Sequence, residues 1–146
     1  MSSLFIANGA EAYDAHMGRW SLRLATPFLE FSGIRPGATV VDIGCGTGNL
    51  ARALLAGGAA RVEAIDFDHE FVAAAAARNS DPRLTVCQGD ACALPYPDHS
   101  FDASLSMLVM HFVGEPARAF AEMRRVLKPG MRISRNSLKY HLSSTH

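Results

Sequence analysis

The sequence predicts an α/β fold on a doubly wound, mostly parallel sheet, and three observations carry that expectation. Short apolar runs alternate with helical patterns at a regular interval, as they do when each helix returns the chain to start a parallel strand. The first run, Ala38 to Ile43, breaks into three glycines at alternate positions, Gly44, Gly46 and Gly48, and then into a helix. Acidic residues, Asp66 and Asp90, stand where the next two runs end. Ligands of such sheets bind outside the carboxyl ends of the strands, so chemistry is expected at these places.

Composition narrows the class. At 146 residues, 49% hydrophobic and 19% charged, the chain can bury one core of its own and is no disordered segment. Its 14 basic and 14 acidic residues cancel, so nothing draws the whole molecule to nucleic acid or an anionic membrane. Cys45, Cys87 and Cys92 form no CxxC pair and are odd in number, which reads as reduced thiols in a cytoplasmic protein. No basic, apolar leader opens the chain, and no apolar run approaches the length of a membrane span. His16, His69, His99 and His111 lack ligand spacing and cysteine partners, so no metal is expected.

In order, residues 10–31 read as an interrupted helix, with Tyr13, Met17, Trp20, Leu24, Phe28 and Phe31 at helical spacing. Pro27 kinks it or begins a second helix. Gly33 and Pro36-Gly37 turn the chain into strand one, Thr39–Ile43. The helix after the glycines runs from Leu50 to Ala56 and stops at Gly57-Gly58. Strand two is Arg61–Asp66, after which Asp68 caps an alanine-rich helix reaching Ala77. Asn79–Pro82 is a turn before strand three, Leu84–Gln88. A proline-rich loop, Leu94–Asp98, leads into strand four, Phe101–Ser106. Pro116 opens a helix over Ala117–Leu127, and Lys128-Pro129-Gly130 stops it.

Three glycines so close together favour a ligand cradle over an ordinary βα turn. Backbone can then approach a ligand with no Cβ in the way, and the N–H groups opening the helix suit a polar, partly anionic small molecule. The dinucleotide spacing G-x-G-x-x-G wants its third glycine at position 49, which is Asn49. Asp66 can take both hydroxyls of a ribose, whereas Asp68 better suits a helix cap. The Asp90 carboxylate can accept from an adenine amine while the Ala91 N–H donates to a ring nitrogen. Capping of its own loop is the alternative for Asp90.

The stretch VVDIGCGTGNL, Val40 to Leu50, resembles motif I of the class I S-adenosylmethionine (SAM)-dependent methyltransferases. VEAIDFD places Asp66 where that family has its ribose-binding acid, and GDACALPYPDHSFDA resembles its adenine-proximal stretch. EMRRVLKPG is similar to the helix and turn before the family's fifth strand, and YDAHMGRWS to an entry segment of one small-molecule-methylating subgroup. The resemblance implies a Rossmann-like, seven-stranded sheet, SAM as methyl donor and S-adenosylhomocysteine as product. By it, Asp42 orients the methionine amino group, and Gly44, Cys45, Gly46 and Gly48 line the methionine and ribose. Asp66 and Phe67, with Asp90 and Ala91, hold the nucleoside. His111, just after strand four, sits where the acceptor approaches; it is a general base or a packed histidine. Tyr13 and Trp20 form a lid or belong to the core.

After Gly130 the resemblance stops. Residues 131–146 hold Arg132, Arg135 and Lys139 and no acid. They look like a foreign, truncated end, with a short functional tail as the alternative. Strands five to seven are therefore expected to be incomplete or missing, leaving strand four an exposed edge, or one poorly covered by Ile133 alone, and open to self-association. The organisation expected is a helical entry segment over 1–37, a SAM-binding core over 38–130 and an atypical basic tail over 131–146. The leading function is methyl transfer to a small-molecule acceptor. A non-catalytic SAM-binding or interaction module is the first alternative. An NAD-dependent oxidoreductase is the second, disfavoured by Asn49.

Overall fold

The computed structural model describes Arg23, Ala25, Pro27, Leu29, Glu30 and residues 32–107 and 114–136, with Met107 and 132–136 by backbone alone. The N-terminal positions described up to Ser32 are all helical. Beyond them, eight elements follow: β1 Thr39–Ile43, α1 Asn49–Ala56, β2 Arg61–Asp66, α2 His69–Arg78, β3 Leu84–Gln88, β4 Phe101–Met107, α3 Pro116–Arg125 and β5 Leu127–Asn136. The five strands pair in the order β3-β2-β1-β4-β5, every pair parallel. The chain winds outward from β1 to β3, then returns to β4 on the other side of β1. That reversal is the switch point, with a crevice at the carboxyl ends of β1 and β4.

β1 is central, so both of its faces are covered. Val40 packs with Val62, Ala64, Leu105 and the α1 residues Leu50, Ala51 and Leu54. Val41 and Ile43 look the other way, onto Ile65, Phe101 and the α3 residues Ala119 and Met123. A parallel strand sandwiched between helices reads as a continuous apolar run for this reason. The helices end as their sequences require. Asp68 caps α2, its carboxylate accepting from the Glu70 N–H at 2.9 Å. Gly58, at φ +94°, takes the chain away from α1.

The expectation of a bare strand four is corrected. β5 pairs along β4 from Ser104↔Ile133 to Met107↔Asn136, so the pattern change at Gly130 does not end the sheet. β5 also begins earlier than the sequence suggests, at Leu127 opposite Phe101; the register then jumps to Ala103↔Arg132. Lys128 to Met131 therefore bulge outward opposite Asp102. A bulge is where a strand tolerates a proline and where Gly130, at φ +83°, is at ease. Asp102 fastens this corner. Its carboxylate accepts from the Thr39 N–H at 2.8 Å and from Lys128 Nζ at 3.0 Å. Those two donors hold its pKa below the usual carboxylate value.

Neighbouring residues on β4 should respond oppositely to truncation. Leu105 is fully buried, so Leu105→Ala should cost about 2–5 kcal/mol. Ser104 Oγ is buried without a hydrogen-bond partner among the described residues, so Ser104→Ala should leave stability within about 1 kcal/mol of wild type or raise it. Urea denaturation of the two variants checks both; a Ser104→Ala loss as large as that of Leu105→Ala would mean the hydroxyl is satisfied.

Candidate functional site

The glycine loop leaves β1 with Gly44, Gly46 and Gly48 at φ +74°, +55° and +92°, a conformation that L side chains avoid. A Cβ on Gly48 would also lie 2.8 Å from Asn79 Nδ2. The loop is tied to the end of β2. The N–H groups of Gly44 and Cys45 donate to the Ile65 carbonyl at 2.8 and 3.0 Å. The Gly46 N–H donates to Asp66 Oδ2 at 2.9 Å. α1 starts at Gly48 with no side-chain cap and no acid in its first turn, so its positive end is not neutralised locally.

Two carboxyl groups face this loop. Asp42, at 1% exposure, has Oδ2 buried with no partner among the described residues. Burial, and then the charge of Asp66, push its pKa up to about 7. The Asp66 pKa is also raised by burial, against the N–H donors of Asp68 and Gly46 that favour its ionised form. Both Asp66 oxygens already serve the fold, Oδ1 accepting from the Asp68 N–H at 3.0 Å and Oδ2 from Gly46. Each retains a second lone pair for a ligand hydroxyl. The Cys45 thiol is buried between them, its pKa driven well up by burial, Asp42 and Asp66.

The end of β3 joins the same ledge. The Gly89 N–H donates to the Asp66 carbonyl at 2.9 Å, and a Cβ there would lie 2.5 Å from Ile65 Cδ1. Phe67 is 74% exposed beside Asp66, and its carbonyl accepts from Gln88 Nε2 at 3.0 Å. Asp90 does cap its own loop: Oδ1 accepts from the Cys92 N–H at 2.8 Å and the carbonyl from Ala93 at 3.0 Å. The structure thus brings Asp42, the three glycines, Cys45, Asp66, Phe67, Asp90 and Ala91 to the carboxyl ends of β1, β2 and β3. His111, Tyr13 and Trp20 lie outside the described residues. Among the described residues no group of three or more His, Cys, Asp or Glu side chains could hold a metal. None of the described helices is long and apolar enough to cross a membrane.

Sequence reasoning missed the buried hydroxyls of Ser104 and Ser106 on β4, both without partners among the described residues. Their alternation with Ala103 and Leu105 was the available signal, since a half-polar central strand is unusual. It also missed Glu122 and Arg125, whose partners are distant in the chain.

Residues 41–134 match the family described as a methyltransferase domain, a span that takes in the glycine loop, both carboxylates and most of β5. The chain belongs to the class I SAM-dependent methyltransferases. It is 35% identical over 112 residues to a 2-phytyl-1,4-naphthoquinone methyltransferase of Synechocystis, covering 73% of this chain and 47% of that protein. A solved complex of the Haloferax volcanii Trm112 methyltransferase activator with a methyltransferase superposes with a TM-score of 0.78 at 32% identity, over 84% of this chain and 54% of that one. The [4+2]-cyclase SpnF superposes with a TM-score of 0.71 at 35% identity, over 77% of this chain and 43% of that one. The chain spans about half the length, or less, of such relatives. The residues present fit the family's SAM: Asp42 has a buried Oδ2 without a partner among the described residues, Asp66 keeps free lone pairs, and three glycines leave the loop beside them open to close approach.

Asp42 sets a pH dependence of stability. Its native pKa of about 7 lies above the ordinary 3.8, so the native state keeps a proton that the unfolded state releases. Stability should fall as pH rises from about 4 to 7 and level off above. Asp42→Asn should flatten that fall and be the more stable form at about pH 8. Equal slopes for wild type and variant in denaturant titrations at several pH values would remove Asp42 as the cause.

Proposed function

We propose that this chain binds SAM across the carboxyl ends of β1, β2 and β3 and transfers its methyl group to a small-molecule acceptor. The observation that carries the reading is Asp42, whose buried Oδ2 has no partner among the described residues, beside a glycine loop that Asp66 holds. Ionised Asp42 meets the methionine ammonium. Asp66 takes the ribose hydroxyls with its remaining lone pairs, while Phe67 covers the base. Asp90 accepts from the adenine amine, and the Ala91 N–H donates to a ring nitrogen. Bound SAM supplies a sulfonium methyl that is already activated, so the protein contributes alignment and exclusion of water. The acceptor approaches over β4, where His111 would take a proton if the reaction releases one.

The segments 1–37, 38–130 and 131–146 serve in this reading as entry, SAM-binding core and tail. The three free thiols favour a cytoplasmic setting, and zero net charge offers nucleic acid no purchase. Self-association would use an outer edge of the sheet, β3 or β5. A second reading is favoured by the likeness to a [4+2]-cyclase: SAM is held, but the reaction at the acceptor side is not methylation.

Titration calorimetry with SAM, S-adenosylhomocysteine and NAD tests the site, and transfer of labelled methyl to a panel of quinone precursors and other small acceptors tests the reaction. SAM binding without turnover would favour the second reading; no SAM binding would sink both. Gly46→Val should abolish SAM binding, since a branched side chain would fill the cradle at φ +55°. Asp66→Ala should weaken SAM by roughly 1.5–3 kcal/mol, about 10- to 150-fold. The penalty for the 2′-deoxyribose analogue should shrink in that variant; an unchanged penalty would separate Asp66 from the ribose.

A further inference from the structure

We infer that Arg125 and Glu122 on α3 are positioning residues for adenine recognition, acting through the loop that follows β3. The inference rests on the proposed SAM site and extends it to residues that never touch the ligand. All five guanidinium N–H donors of Arg125 are used. Nε donates to Glu122 Oε2 at 2.6 Å, and Nη2 to Glu122 Oε1 at 3.2 Å and the Leu94 carbonyl at 3.0 Å. Nη1 donates to the Tyr96 carbonyl at 2.9 Å and to Asp98 Oδ1 at 2.7 Å. Glu122 closes the clamp from its side, Oε1 accepting from the Leu94 N–H at 2.9 Å. Residues 94–98 are thereby fixed to α3 by side chain, backbone donor and backbone acceptor together.

The clamp begins where the adenine ledge ends. Asp90 holds Cys92 and Ala93 in its turn, buried Cys92 donates Sγ–H to the Glu115 carbonyl at 3.5 Å, and buried Leu94 is the next anchored residue. The Asp90 acceptor and the Ala91 donor therefore sit on a short span tied to β2 at Gly89 and to α3 at Leu94. Releasing the far tie lets both contacts drift while the Asp66 end stays in place. Adenine offers an amine and a ring acceptor to this pair; hypoxanthine offers a carbonyl and a ring N–H, the reverse pattern.

The test compares binding of S-adenosylhomocysteine, S-inosylhomocysteine and 2′-deoxy-S-adenosylhomocysteine by calorimetry. Wild type should prefer adenine over hypoxanthine by about tenfold or more. In Arg125→Gln that preference should collapse to within about threefold while the 2′-deoxy penalty is kept. A merely structural loss would weaken all three ligands together. Arg125→Lys, which keeps the charge but cannot span two carbonyls and two carboxylates, should fall between. If Arg125→Gln does not fold, Glu122→Ala carries the test, since alanine suits the helix and removes the Leu94 acceptor. Amide exchange at Leu94 should speed up in either variant with no ligand present. Unchanged base preference, or unchanged exchange at Leu94, overturns the inference. A wild type that binds none of the three overturns the SAM site itself, whatever the exchange shows.

Discussion

The hydrogen bond from the Gly46 N–H to Asp66 Oδ2, 2.9 Å long, decides the geometry of everything around it. A chain leaving β1 with glycines at φ +74°, +55° and +92° is little restricted at those three positions, and such a loop would sample many conformations if untied. The Ile65 carbonyl takes the Gly44 and Cys45 N–H groups, and Asp66 takes the next one. The parallel register Ile43↔Ile65 delivers those acceptors at the right height. The loop is thus an outgrowth of the β1–β2 ladder, and α1 inherits its direction from it.

The same bond explains why Asp42 is so costly to keep ionised. Holding the loop against β2 closes water away from the end of β1, and Asp42 is left at 1% exposure within the field of Asp66. A carboxyl group in that position keeps its proton up to about pH 7 because neutralisation costs less than burying an unpaired charge. Its Oδ2 has no partner among the described residues. A fold optimised for stability alone would place an apolar residue there. The hydroxyls of Ser104 and Ser106 on the adjacent β4 are also buried without partners among the described residues, so unsatisfied polar groups sit on both strands that flank the reversal in strand order.

The strands were legible because a parallel sheet covered on both faces writes them as uninterrupted apolar runs bounded by turn residues. β1, β2 and β3 keep the limits read from the sequence. The glycine loop and its two acids were legible as spacing. What escaped was whatever depends on pairing across the chain. Pro129 and Gly130 spelled a stop, yet Asp102, Lys128 and Thr39 convert them into a bulge within β5. Asp90 was legible both as a ligand group and as a cap of its own loop, and its bond to the Cys92 N–H is the second of these. Asp66 was read as a ligand group alone, although both of its oxygens also bind backbone. Arg125 stood in the sequence only as part of EMRRVLKPG; its bonds to Leu94, Tyr96 and Asp98 come from residues far away in the chain.

Cofactor and acceptor sides of such a sheet obey different constraints. On the β3-β2-β1 side the groups proposed to face the cofactor are backbone donors, glycines and carboxylates tied to strand ends, and any sequence that builds the sheet correctly builds most of them. That side can stay constant while chemistry changes, as the likeness at about one-third identity to both a quinone methyltransferase and a [4+2]-cyclase illustrates. On the β4 side the polar groups are the hydroxyls of Ser104 and Ser106, buried within the sheet and set by single residues rather than by the ladder. The clamp from α3 to residues 94–98 crosses between the two sides, since α3 feeds β5 directly and the loop carries the proposed adenine contacts. A change in how α3 packs for a new acceptor would therefore be felt at the base, which sets a limit on how independently the two halves of the site can vary.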